Sequence, residues 1–126
     1  MAPPLKLLTS LLLFLSIFPK GNNSKPCDLS SIEITTTNTG SKVGYDPVFE
    51  VEVKNSCRCA TKSVFLQSEG FASSMPVDRK LFRREGIGYL LNNGDRIPSS
   101  ASVKFHYSWD RAFKMSPASL QVEHCS

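Results

Sequence analysis

Residues 51–67 read "VEVKNSCRCATKSVFLQ", and how this stretch is interpreted decides the fold. Upstream of its two cysteines, Phe49, Val51 and Val53 alternate with Glu50, Glu52 and Lys54. Alternation with a period of two marks a strand with one buried face. Downstream, Val64 and Leu66 share one face and Phe65 takes the other. Cys57 and Cys59 sit between these strands, one residue apart.

The same period recurs along the chain. "SSIEITTT" sets Ile32 and Ile34 against Ser31, Glu33 and Thr35. "SVKFHYSW" puts Val103, Phe105, Tyr107 and Trp109 on one face, with Lys104, His106 and Ser108 on the other. "ASLQVEHC" alternates Leu120, Val122 and His124 with Gln121 and Glu123. "GYLLNNG" ends in Asn-Gly, a strong turn signal. Turn formers lie between the strands: "TNTGSKVGYDP", "SEGFASSMP", "NNGDRIPSS" and "KMSP". "DRKLFRRE" reads as a single solvated turn anchored by Leu81 and Phe82. Short strands at this spacing predict an all-β fold, an antiparallel β-sandwich of about six to seven short strands.

The first residues have another character. "LLTSLLLFLSIF", residues 7–18, is almost wholly apolar, follows a single Lys6 and gives way to "PKGNNSK". That order is the layout of a secretory signal peptide. The apolar run is too short for a membrane span, which needs about 20 residues. The expectation is a leader over residues 1–21, cleaved between 19 and 24, and a domain over residues 25–126 without membrane insertion. "NNS" at Asn22 is a glycosylation sequon beside the cleavage region, and "NSC" at Asn55 is a weaker one.

Export places the four cysteines in an oxidising space, where they should pair into two disulfides. On a strand, Cys57 and Cys59 would stand ~6.6 Å apart along one face, given a rise of ~3.3 Å per residue. A disulfide needs Cβ atoms ~3.5–4.5 Å apart. Each should therefore reach outward, one to Cys27 and the other to Cys125, and the spacing leaves open which takes which. Each bridge should add roughly 3–4 kcal/mol in the chain-entropy model. A zinc reading is weak, because structural zinc sites show paired cysteine knuckles and here there is one close pair.

Composition narrows the function classes. Without Lys6 and Lys20, 13 basic and 11 acidic residues leave a net charge of +2, too little to argue for nucleic acid. The chain shows no cofactor loop: "GIGY" at residues 86–89 lacks the third glycine and the following helix. It has two histidines, His106 and His124, and no nucleophile elbow, so no enzyme is expected. An extracellular carbohydrate-binding module would use Tyr45, Tyr107 or Trp109 as stacking platforms. Tyr107 and Trp109 instead share the core face of their strand.

The order of motifs resembles a known family. A lone cysteine precedes an I-x-I strand in "CDLSSIEI", and a second strand leads into N-x-C-x-C in "KNSCRC". "VFLQSEGF", "PVDRKLFRRE", "LLNNGDRI" and "FHYSW…VEHCS" follow in sequence. This pattern, from Cys27 to Cys125, is similar to the plant Tapetum determinant 1 family of small secreted cysteine-rich proteins. The resemblance implies an apoplastic signalling protein that binds the ectodomain of a leucine-rich-repeat receptor kinase in anther cell-fate specification. The family pattern usually has two further cysteines, where this chain carries Ser68 and Tyr89. Their joint loss fits a missing third bridge and leaves Cys27, Cys57, Cys59 and Cys125 as a self-consistent set. For a ligand, Leu81, Phe82, Arg83 and Arg84 combine the aromatic and arginine anchors that interfaces favour, and are expected to contact the receptor.

Overall fold

A computed structural model describes residues 27–125, apart from the side chain of His124. The expected leader, its cleavage region and Asn22 lie outside the described residues, as does the side chain of His124.

Seven strands form two antiparallel sheets. Strands β1 (Ile32–Val43), β2 (Asp46–Asn55) and β6 (Ser102–Ser108) make the first, in the order β1-β2-β6. Strands β3 (Cys59–Gln67), β4 (Phe82–Glu85), β5 (Gly88–Leu91) and β7 (Ser116–Cys125) make the second, in the order β4-β5-β3-β7. The alternating residues face each other between the sheets. Val51, Val53, Val103, Phe105 and Tyr107 come from the first sheet. Val64, Leu66, Phe82, Tyr89 and Leu91 come from the second. The predicted β-sandwich is the observed fold.

The sheets are joined by stacked rings. Phe82 on β4 lies flat against Tyr89 on β5, centroids 4.7 Å apart, and against Phe105 on β6 at 4.3 Å. Phe71 meets Phe82, Tyr89 and Tyr107 edge-on at 5.1–5.5 Å. Such pairs add about 0.5–1.5 kcal/mol each beyond area burial.

Cys27 and Cys125, at the two ends of the described residues, are clamped at one end of the sandwich by the bridges Cys27–Cys57 and Cys59–Cys125. Cys57 is not on a strand: it lies in the bend between β2 and β3, while Cys59 opens β3 opposite Cys125. The bridges span 30 and 66 residues, which corresponds to about 4 kcal/mol each in the chain-entropy model.

Several elements differ from the sequence reading. "DRKLFRRE" is only half a turn. The amides of Leu81 and Phe82 close on the Asp78 carbonyl, and Phe82 then begins β4. β1 runs on through Val43, beyond the predicted strand, because the turn-forming "NTGS" is absorbed as a bulge between Asn38 and Lys42. The reversal comes at Gly44 and Tyr45, where Gly44 has φ +62° and Val43 pairs with Asp46. A positive φ at the first of two turn residues suits a hairpin with right-handed twist. The Asn-Gly signal at residues 93–94 does not make a hairpin. Asn92–Gly94 is a 3₁₀ turn from which the chain leaves the second sheet and crosses to β6. Val122 is 44 % exposed, because β7 is an edge strand whose register shifts against β3.

Candidate functional site

β2 enters the cysteine bend at Asn55 and β3 leaves it at Cys59. Asp46 and Gln67 therefore mark the opposite, open end of the sandwich. Two hairpin tips project there, Gly44 with Tyr45 and Gly86 with Ile87, and residues 68–81 and 109–115 connect strands between them. Tyr45 is 97 % exposed and Ile87 96 % exposed. No other large apolar side chain among the described residues approaches these values.

The connections at this end are held in place. Gly70, at φ +72°, turns the chain so that Phe71 enters the ring cluster. The Ser73 hydroxyl accepts from the Ser108 amide at 3.1 Å, and the Ser74 hydroxyl donates to Asp46 at 2.7 Å. The Tyr107 hydroxyl accepts from the Phe113 amide at 2.8 Å. Burial raises the Tyr107 pKa above its ordinary value of 10.0, partly opposed by this hydrogen bond.

Between the β4–β5 hairpin and the start of β7 lies a cleft of about 780 Å³. Its walls are Gln67, Ser68, Glu69, Gly70, Arg84, Ile87, Tyr89, Lys114 and Ser116. Ser68 and Tyr89 both line it. Leu66 pairs with Tyr89 across the β3–β5 ladder, so Ser68 lies two residues beyond that pair. The Ser68 hydroxyl donates to the Lys114 carbonyl at 3.1 Å, which ties the end of β3 to the chain entering β7.

The expected contact segment divides by exposure. Phe82 is 2 % exposed and belongs to the core, so its ring is not available to a partner. The cause is strand register: Phe82 pairs with Leu91 and points between the sheets. Leu81 is half-buried against the same core. Arg83 is held within the chain, by Glu85 at 3.0 Å and by the Asn93 side-chain oxygen at 2.7 Å. Arg84 alone of the four faces the cleft. Its guanidinium donates to the Tyr89 hydroxyl at 3.2 Å and lies 5.5 Å from the centre of that ring.

Ile87, Lys114 and Glu69 were not singled out from the sequence. "GIGY" held one usable signal, an isoleucine at a glycine turn where no core can reach it. Of the candidate stacking aromatics, Tyr45 is exposed, Trp109 half-buried and Tyr107 wholly buried. His106 faces solvent on β6, 3.4 Å from Glu50 on β2. The sulfurs of Cys27, Cys57 and Cys59 lie within 4.8 Å of one another, but all are bonded in bridges and offer no thiolate to a metal.

Asn55 is 1 % exposed, and its side chain organises the bridged end. It donates to the carbonyls of Cys59 and Ile97, both at 2.9 Å, and accepts from the Cys57 amide at 3.0 Å. Its sequon is thus closed to a glycan in the folded chain.

This geometry defines a small β-sandwich, clamped by two disulfides at one end and carrying exposed apolar tips beside a cleft at the other. The family model described as Tapetum determinant 1, C-terminal, matches residues 28–125. The chain belongs to that family. No curated protein and no solved structure matches it.

Proposed function

We propose that this chain is an exported plant signalling protein, a ligand for the ectodomain of a leucine-rich-repeat receptor kinase in reproductive cell-fate specification. The family match over residues 28–125 carries this reading. Two disulfides suit the oxidising apoplast. Among the described residues no helix is long and apolar enough to cross a membrane. A solenoid receptor offers an extended concave face, and a rigid sandwich with projecting tips suits such a surface. On this reading the chain performs no reaction, needs no cofactor and binds no nucleic acid.

The test is binding of the purified, fully bridged protein to a panel of plant leucine-rich-repeat receptor ectodomains. Saturable binding to one of them, lost when the bridges are reduced, is the expected result. Absence of binding across the panel contradicts the reading. The carbohydrate alternative has only Tyr45 as a freely exposed platform, and retention on a plant-wall glycan array abolished by Tyr45→Ala would favour it.

A further inference from the structure

We propose that the cleft beside Ile87 docks an acidic segment of the protein partner, with a carboxylate on Arg84 and Lys114 and an apolar neighbour against Ile87. This rests on the ligand reading and locates the surface it uses.

Arg83, Lys62, Arg96 and Arg111 each have a carboxylate within 4.0 Å. Eight other lysines and arginines among the described residues have none, and of these only Arg84 and Lys114 line one concavity. Glu69 shares the wall without pairing to either, so the cleft keeps an excess of one positive charge.

Arg84 is also preorganised. The Tyr89 hydroxyl and ring fix its guanidinium, while Tyr89 itself is gripped by the stacked Phe82. A guanidinium already held in place loses little side-chain freedom when it receives a carboxylate. Ile87 adds an apolar contact. It sits at the second position of a tight turn, where polar residues are usual, and it contributes nothing to the core.

The size and lining of the cleft choose the class of occupant. At about 780 Å³ it exceeds the needs of a lone inorganic anion and suits a few residues of chain. A sugar would find no open ring there, since both the face and the hydroxyl of Tyr89 are already engaged.

The experiment has two arms. In the first, an end-blocked peptide of alternating Glu and Leu is titrated into the isotope-labelled, bridged chain, beside a Lys–Leu counterpart. Amide shifts should move at residues 67–70, 84–89 and 114–116 with the acidic peptide only. Arg84→Glu, Lys114→Glu and Ile87→Asp should each weaken the acidic peptide by about tenfold or more. Equal response to both peptides, or no localised response, overturns the proposal. In the second arm, the same variants are measured on the receptor ectodomain found above, with Lys42→Glu as the control. A loss of about tenfold for the cleft variants alone supports the proposal. Unchanged affinity overturns it while leaving the ligand reading intact. If no ectodomain binds the wild-type chain, the ligand reading fails and the peptide arm still decides the cleft. All three residues are outside the core, so a melting curve matching wild type shows that each variant is folded.

Discussion

The side-chain amide of Asn55 donates to the backbone carbonyl of Cys59 at 2.9 Å, across the bend that carries both bridged cysteines. The same amide holds Ile97, and the backbone of Asn55 is bonded to residues 100 and 101. One buried side chain thus fixes the bend and the crossing from the second sheet to the first.

Asn55→Ala should therefore destabilise the domain by about 3 kcal/mol, because it leaves buried donors and acceptors without partners. Asn55→Asp should cost at least as much, since a carboxylate would face the carbonyl oxygens of Cys59 and Ile97. Denaturant unfolding of the bridged variants measures both. A loss below about 1 kcal/mol would show that the bend is held by the disulfides alone.

Phe71 should behave as a core residue although it stands in a loop. Phe71→Ala removes edge contacts to Phe82, Tyr89 and Tyr107 and should cost about 3 kcal/mol. Thermal unfolding checks this, and a neutral result would contradict the role assigned to the ring cluster.

The strands and Phe71 show where the sequence was legible and where it was not. Strand faces could be read because alternation records burial directly: Val51, Val53, Val64, Leu66 and Phe105 are each at or below 1 % exposure. Phe71 could not be read, since a single aromatic after Gly70 has no period, and only its tertiary surroundings place it between the sheets. The mix of aromatic and arginine side chains drew attention to Leu81, Phe82, Arg83 and Arg84 without separating them. That separation comes from the pairing of Phe82 with Leu91, a register set by a two-residue hairpin. Lys114 reaches the cleft from a segment 30 residues beyond Arg84, a proximity with no local signature.

Alkaline pH should weaken the fold through Tyr107. Its folded-state pKa is raised above 10.0 because burial disfavours the phenolate. Between the unfolded and folded values the native state holds the proton that the unfolded state has lost, so stability falls as pH rises through that window. Unfolding measured from pH ~8 to ~11 should show a decline beginning near the ordinary tyrosine pKa of ~10. Tyr107→Phe should be weaker at neutral pH, having lost the bond from Phe113, and should lack this part of the decline. Parallel pH profiles for the two proteins would refute the assignment.

Ser68 and Tyr89 line one cleft, and Ser68 lies two residues beyond the Leu66 to Tyr89 pair. The combined Ser68→Cys, Tyr89→Cys variant should therefore form a third bridge on oxidative folding. Thiol titration should find no reactive thiol in the double variant and one in each single variant. Two reactive thiols in the double variant would show that this end does not bring the two positions within bonding reach.

On the proposed reading the chain is an exported β-body held at Cys27 and Cys125 by the bridges Cys27–Cys57 and Cys59–Cys125. Non-reducing peptide mapping of native, secreted protein tests this most directly. The expected result is those two cross-linked peptide pairs and no alkylatable cysteine. Reactive thiols in the native material, or Cys57 joined to Cys125, would contradict it.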